Sequence, residues 1–305
     1  MHTTSGHWRL GALLALTTAI MWGVLPIALK FTLQQMDAVT ITWYRFVAAT
    51  LILGAILAHR GRFPRLAALN ARGWGLLLIA ILGLCGNYVL YLLGLDHVTP
   101  GTAQIVVQLA PILLLTGALV LFRERFSILQ WTGLLIFISG QALFFNRDLA
   151  QLLTGGGAQS TGVWLVVASA VVWAAYALAQ KQLLNVLGSD GILFCVYVAA
   201  VFMFYPASEP AQILHIDGFT LSMLVFASIN TLIAYGAFAE ALEHIEASRV
   251  SAIIALAPLL TLAAMVLLGA VFPGFTLEEP LDAFKVGGAI LVVTGSILTA
   301  TATAR

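Results

Sequence analysis

Residues 108–115 read QLAPILLL, and residues 255–262 read ALAPLLTL. Each sets a proline within a long apolar run, where the missing N–H and the bulk of the ring interrupt a helical hydrogen-bond ladder. Made twice in nearly the same words, this choice is either a repeated packing kink or a repeated structural device. Its setting is apolar: of 305 residues, 61% are hydrophobic and 9% charged, and mean hydropathy is +1.01. Such a composition excludes a water-soluble globule and points to a lipid bilayer as the solvent.

Net charge is +1, and no basic block is dense enough to neutralise a run of phosphates, so nucleic acid is excluded as a partner. Cys85 and Cys195 lie in apolar runs without CxxC spacing and read as reduced packing residues. The opening MHTTSGHWR is followed by an apolar run that suits a first span better than a removable signal.

About 20 apolar residues at about 1.5 Å each cross a hydrocarbon layer of about 30 Å. Ten such runs are present, at about 10–29, 38–58, 74–94, 101–121, 128–145, 162–182, 190–206, 219–240, 249–269 and 284–302. The seventh is the weakest, because it is short and ends at Pro206. Short polar joints leave no room for a soluble domain. A cytoplasmic N-terminus puts Arg9, Arg60, Arg62, Arg65, Arg72, Arg123, Arg125, Lys181, Arg249 and Arg305 inside, against Lys30, Arg147 and Lys285 outside. The bias predicts a multi-pass protein of the cytoplasmic (inner) membrane with both termini in the cytoplasm.

The proline segments belong to a longer echo. YVLYLLGLDHV (88–98) lies 147 residues before YGAFAEALEHI (235–245), and the same offset carries Pro111 onto Pro258. An offset of 151 carries Trp22 onto Trp173 and Lys30 onto Lys181, and one of 155 carries Gly133 and Gly140 onto Gly288 and Gly295. The chain therefore reads as a duplication, residues 1–150 and 151–305, of five spans each. Because five is odd, the second copy enters the bilayer upside down. The fold expected is an all-α membrane protein of ten transmembrane helices, in two inverted five-helix repeats around a central cavity. Pro111 and Pro258 fall midway along spans four and nine and serve as candidate hinges; each frees a carbonyl one turn earlier, at Val107 and Ile254.

Polar side chains are costly in lipid and gather toward a cavity or another helix. Span four places Gln104, Gln108 and Pro111 on one stripe; its partner has Ser251, Ala255 and Pro258. Span three stacks Gly83, Asn87 and Tyr91 beside Tyr88, and span eight answers with Asn230, Ala234 and Phe238 beside Tyr235. Span one shows Trp22, and span six shows Trp173 with Tyr176 nearby. The candidate substrate-binding set is thus Trp22, Asn87, Tyr88, Tyr91, Gln104, Gln108, Trp173, Tyr176, Asn230, Tyr235 and Phe238. Interhelical hydrogen bonds and ring packing are the alternative roles for each of these. Spans five and ten instead carry glycines seven apart, which suit close helix contact.

Lys30, Asp96 and His97 fall at the outer ends of spans one and three; their mates Lys181, Glu243 and His244 fall at the inner ends of six and eight. They are candidate alternating gates that form ion pairs when closed, with solvated helix ends as the alternative. Arg45 sits about seven residues inside span two, which strains the reach of a snorkelling side chain. We read it as a structural residue, paired with Asp37 or Asp96 near the outer mouth.

AIMWGVLPIALKF (19–31), WYRF (43–46), LDHVTPGTAQIVVQLAPILLL (95–115) and FRERFSILQWTGLLIFISG (122–140) together resemble the EamA-type half-domain of the drug/metabolite transporter superfamily. The second half looks like a more divergent copy. The resemblance implies ten helices in inverted repeats and export or uptake of small metabolites, amino acids among them, by alternating access. It also assigns a structural role to Glu124, the glutamate after the fourth helix, for which the second half has Ala270 and Val271 near the matching place.

The function expected is a secondary transporter for a small amphipathic metabolite, an amino acid or related compound, with export as the direction. Aromatic rings would offer apolar and cation-accepting surfaces, and amides would orient polar groups. No cofactor or metal is called for. The partners are a small-molecule substrate and the lipid bilayer, with homo-oligomerisation open. A channel or scaffold is the alternative, ahead of an intramembrane enzyme, since HExxH, GxSxG and paired mid-depth aspartates are absent from the sequence.

Overall fold

The computed structural model describes residues 7–122, 127–146, 157–184, 186–245, 250, 253–272 and 281–301. The described residues contain helices and turns and no strand. In chain order the α-helices are α1 (Trp8–Leu33), α2 (Ala38–Arg60), α3 (Ala71–His97), α4 (Pro100–Val107), α5 (Leu109–Phe122), α6 (Ile128–Phe144), α7 (Ala158–Leu183), α8 (Ser189–Phe204), α9 (Gly218–His244), α10 (Ala257–Val271) and α11 (Ala283–Thr301). By length and composition, six segments among the described residues can cross a bilayer, corresponding to α1, α2, α3, α7, α8 with the turn after it, and α9. The other apolar runs are shorter helices of 10–17 residues.

Local chemistry sets the helix ends. Asp37 Oδ1 accepts the Val39 and Thr40 N–H groups at the start of α2, and Asn70 accepts that of Gly73 at the start of α3. Ser127 and Gln130 form a reciprocal capping box on α6, which satisfies donors that a helix start otherwise leaves bare. Gly61, at φ 61°, closes α2 in the left-handed region that favours glycine. Large apolar side chains face outward along the helices: Leu13, Leu51, Leu135 and Phe202 are all more than 60% exposed. Such a surface is stable only against acyl chains.

Proline positions explain the interrupted helices. The helix of α4 stops at Val107, Gln108 forms a turn, and Pro111 is the third residue of α5. Ile253 and Ile254 are helical, Ala255 and Leu256 form a turn, and Pro258 sits at the start of α10. Each proline thus occupies the first turn of a new segment, where no N–H is required. The interruption that the sequence placed near the prolines falls just before them.

In a bilayer, helices associate through close packing of small residues rather than through a hydrophobic drive. The most extensive pairings are α3 with α7, α6 with α11, and α1 with α9, followed by α2 with α8. In the α6–α11 pair the glycines meet. A Cβ on Gly140 would lie 2.6 Å from Val292 N and 2.8 Å from Gly288 O, and one on Gly295 would lie 2.6 Å from Gly133 O. Further pairings join α5 to α7, α10 to α1, α9 to α2, α3 to α8 and α10 to α4. The result is a ring of α1, α3, α4, α7, α9 and the start of α10, braced by α2 and α8, which leaves an opening between its members.

Candidate functional site

That opening is a cavity of about 190 Å³. It is lined by Trp22, Leu25, Pro26 and Leu29 of α1, Arg45 of α2, Asn87, Tyr88 and Tyr91 of α3, and Gln104 and Val107 of α4. Gln108, Ala110 and Pro111 at the first break, Trp173 of α7, Asn230, Thr231 and Tyr235 of α9, and Ile254 and Ala257 at the second break complete it. Both helix interruptions therefore open onto the same space, which is where non-helical backbone is tolerable at membrane depth.

Side chains restore partners to the interrupted ladders. Gln108 Nε2 donates to the Ala255 carbonyl at 3.0 Å, joining one break to the other. Gln141 of α6 donates to the Ile105 carbonyl at 2.8 Å. In α1 the carbonyls on either side of Trp22, whose own carbonyl Pro26 leaves without its helical donor, take side-chain donors: Met21 accepts from Asn230 Nδ2 at 2.8 Å and Gly23 from Thr261 Oγ1 at 2.6 Å. Asn87 Nδ2 donates to the Ser169 carbonyl of α7 at 3.1 Å. The amide nitrogens of both asparagines thus stitch neighbouring helices, and Tyr91 donates weakly to Gln104 Oε1 at 3.4 Å.

Of the residues the sequence nominated for substrate, the structure brings Trp22, Asn87, Tyr88, Tyr91, Gln104, Gln108, Trp173, Asn230 and Tyr235 to this one space, with Pro111. Trp22 stands edge-on to Tyr235, centroids 5.4 Å apart. Two nominees do not line it. Tyr176 is buried in the cluster that contains Phe46, Leu84 and Tyr197, because its position on α7 turns it toward α2 and α8. Phe238 lies 5.9 Å from Trp22, as backing for that ring. Pro258 is buried behind Ala257 and does not line the cavity either.

Arg45 is where the sequence reading requires correction. Asp37 lies eight residues away, about 12 Å along the helix axis, and caps its own helix. The guanidinium instead donates from Nη2 to Thr231 Oγ1 at 3.2 Å and lies 4.6 Å from the centroid of the Tyr88 ring. With Thr231 it lines the cavity, a role that no pairing of opposite charges in the sequence indicates. Its depth in span two was the available signal.

Lys30 Nζ donates to the Leu95 and Asp96 carbonyls at 2.7 and 2.6 Å, capping the end of α3, where orphan carbonyls and the helix dipole favour a cation. Asp96, His97 and Lys181 are exposed. His244 lies 4.0 Å from Glu240 and edge-on to His7. The side chain of Glu243, together with Glu124 and Ser251, lies outside the described residues. Among the described residues no group of three or more His, Cys, Asp or Glu is placed to hold a metal.

The profile of the EamA-like transporter family matches this chain twice, at residues 9–146 and 160–301. An uncharacterized inner membrane transporter of Escherichia coli, YhbE, is 39% identical over 292 residues, 95% of this chain and 91% of that protein. An uncharacterized transporter of Haemophilus influenzae is 36% identical over 95% of this chain and 94% of its own length. A probable amino-acid metabolite efflux pump of Salmonella typhimurium is 24% identical over 94% of this chain and 93% of its own. A solved crystal structure superposes with a TM-score of 0.63 at 20% identity, covering 94% of this chain and 95% of that one, which shows a shared fold. The chain belongs to the EamA-like transporter family and is a membrane transporter, not an enzyme.

Proposed function

We propose that this protein is a secondary transporter of the inner membrane that exports a small amphipathic metabolite, an amino acid or a close relative, by alternating access. Its frame in this reading is two inverted five-span repeats, residues 1–150 and 151–305, with both termini in the cytoplasm. The observation that carries the proposal is the cavity at the two proline-linked breaks, walled by aromatic rings and amides drawn from both halves of the chain.

Several features support the repeat. The family profile matches each half separately. Under the mapping of span one onto six, two onto seven and so on, the α3–α7 contact becomes α9–α1, and the α5–α7 contact becomes α10–α1; all four are present. The α2–α8, α6–α11 and α4–α10 contacts map onto themselves. Asn87 and Asn230 bind backbone carbonyls in the matching partner helices. Support for the substrate class comes from the Salmonella typhimurium relative named as a probable amino-acid metabolite efflux pump, together with the mixture of aromatic and amide side chains.

The test is counterflow in proteoliposomes across amino acids, their analogues and quaternary amines, with wild type, Trp22→Ala and Asn87→Ala. Saturable exchange of an amino acid, weakened in Trp22→Ala, is the expected result. Equal kinetics in all three proteins would remove the cavity from the transport path, and steady single-channel conductance without exchange would replace the carrier by a channel.

A further inference from the structure

The cavity contains a buried cation that its own walls do not balance. Arg45 is 3% exposed. Its one hydrogen bond among the described residues goes to the neutral hydroxyl of Thr231, a ring face covers it, and Nε has no partner. A guanidinium stays protonated in proteins, and a buried charge without a counter-ion is costly. The Tyr88 face offsets only part of that cost. No Asp or Glu stands among the described cavity-lining residues. A second polar group is also underused: Asn230, fully buried, commits its amide nitrogen to the Met21 carbonyl, and among the described residues its Oδ1 has no donor.

An unmatched cation and an unmatched acceptor on one small cavity are complementary to the two ends of a zwitterion. We propose that Arg45 receives the carboxylate of the substrate and Asn230 Oδ1 its ammonium group, with the apolar side chain held against Trp22, Leu25, Leu29 and Trp173. The inference rests on the transporter reading above and narrows its substrate to large, apolar, neutral amino acids. Among the described lining residues, dicarboxylates find no second cation and basic amino acids no carboxylate. Guanidinium–carboxylate recognition is geometrically favourable because a planar fork meets two oxygens. The carboxylate would also replace the missing counter-charge, so an occupied site is electrostatically more complete than an empty one.

The experiment measures binding to the purified full-length protein by tryptophan fluorescence, and counterflow in vesicles. The probes are L-phenylalanine, L-leucine, 2-phenylethylamine, which lacks the carboxylate, and 3-phenylpropionate, which lacks the ammonium group. Wild type should bind 2-phenylethylamine about 10- to 100-fold more weakly than L-phenylalanine, the range for losing a hydrogen-bonded charged group. Arg45→Gln should lose L-phenylalanine affinity by a similar factor while binding the cationic 2-phenylethylamine at least as tightly as wild type, since a like charge has left the cavity. Asn230→Ala should weaken L-phenylalanine and spare 3-phenylpropionate.

Equal affinity of wild type for L-phenylalanine and 2-phenylethylamine overturns the proposal, and this arm requires no variant to fold. Unchanged L-phenylalanine exchange in Arg45→Gln overturns the subsite while leaving the transporter reading intact. Exchange of quaternary amines with neither amino acid bound overturns both.

Discussion

Single side chains do two kinds of work in this chain, and the amides separate them. The nitrogen atoms of Gln108, Asn87 and Asn230 each satisfy a carbonyl on another segment. In lipid an unsatisfied carbonyl has no water to turn to, yet such bonds contribute only about 0.6–1.7 kcal/mol because the unfolded chain also finds partners. Gln108→Leu should therefore lower stability in detergent by about that amount, read as a modest fall in unfolding midpoint; an unchanged midpoint would deny the bridge between the breaks. Asp217 shows a titratable contact outside the spans. Donation from Thr220 N–H and from Gln35 Nε2, both at 2.7 Å, holds its carboxyl below the usual carboxylate range. A depressed carboxylate stabilises above its unfolded pKa and loses that contribution as pH falls through the folded one. The clasp between the α1–α2 joint and α9 should persist at neutral pH and loosen only below about pH 4, a trend that Asp217→Asn should flatten.

At the scale of elements, glycine spacing and proline placement divide the helices into rigid and interruptible ones. The α6–α11 pair is held at backbone contact by Gly133, Gly140, Gly288 and Gly295, so an added side chain there meets main chain that has little room to shift. Gly140→Val should destabilise by at least about 1–3 kcal/mol through overpacking. Gly75→Ala, on α3 with nothing within 4 Å of an added Cβ, should be neutral or stabilising by up to about 1 kcal/mol from helix propensity. Equal melting of both variants would show that the close contact is dispensable. The broken segments α4–α5 and the start of α10 are the opposite case. Their interruptions lie on the cavity and are bridged by one glutamine, an arrangement suited to bending between two states.

For the molecule as a whole, the proposal predicts a topology. With an odd number of spans in each inverted half, a cysteine introduced at Gln35, in the joint between spans one and two, should label only from the outer side, and one at Val186, in the matching joint between spans six and seven, only from the cytoplasmic side. Labelling of both from one face would break the inverted-repeat reading. Native Cys85 is buried and native Cys195 only partly so, and both are free thiols; Cys195 is best replaced first.

Much of this was legible in one dimension, because lipid makes composition, span length and polar stripes strict: a polar residue in an apolar run must face protein or a wet space. That constraint was enough to nominate Trp22, Asn87, Tyr91, Gln108 and Trp173, and the internal repeat matched Gly133 and Gly140 with Gly288 and Gly295. What a linear pattern does not encode is which neighbour a face meets. Tyr176 shares the chemistry of the cavity rings but is turned into the α2–α8 side. Lys30 donates to two backbone carbonyls at the end of α3, contacts that no sequence spacing announces. Arg45, seen as half of an ion pair when only sequence distance is considered, is brought by the packing of α2 on α9 to Thr231 and the cavity. Periodicity along a helix determined which residues turn away from lipid, whereas their partners depended on how distant helices cross, a property of three-dimensional packing rather than of any single segment.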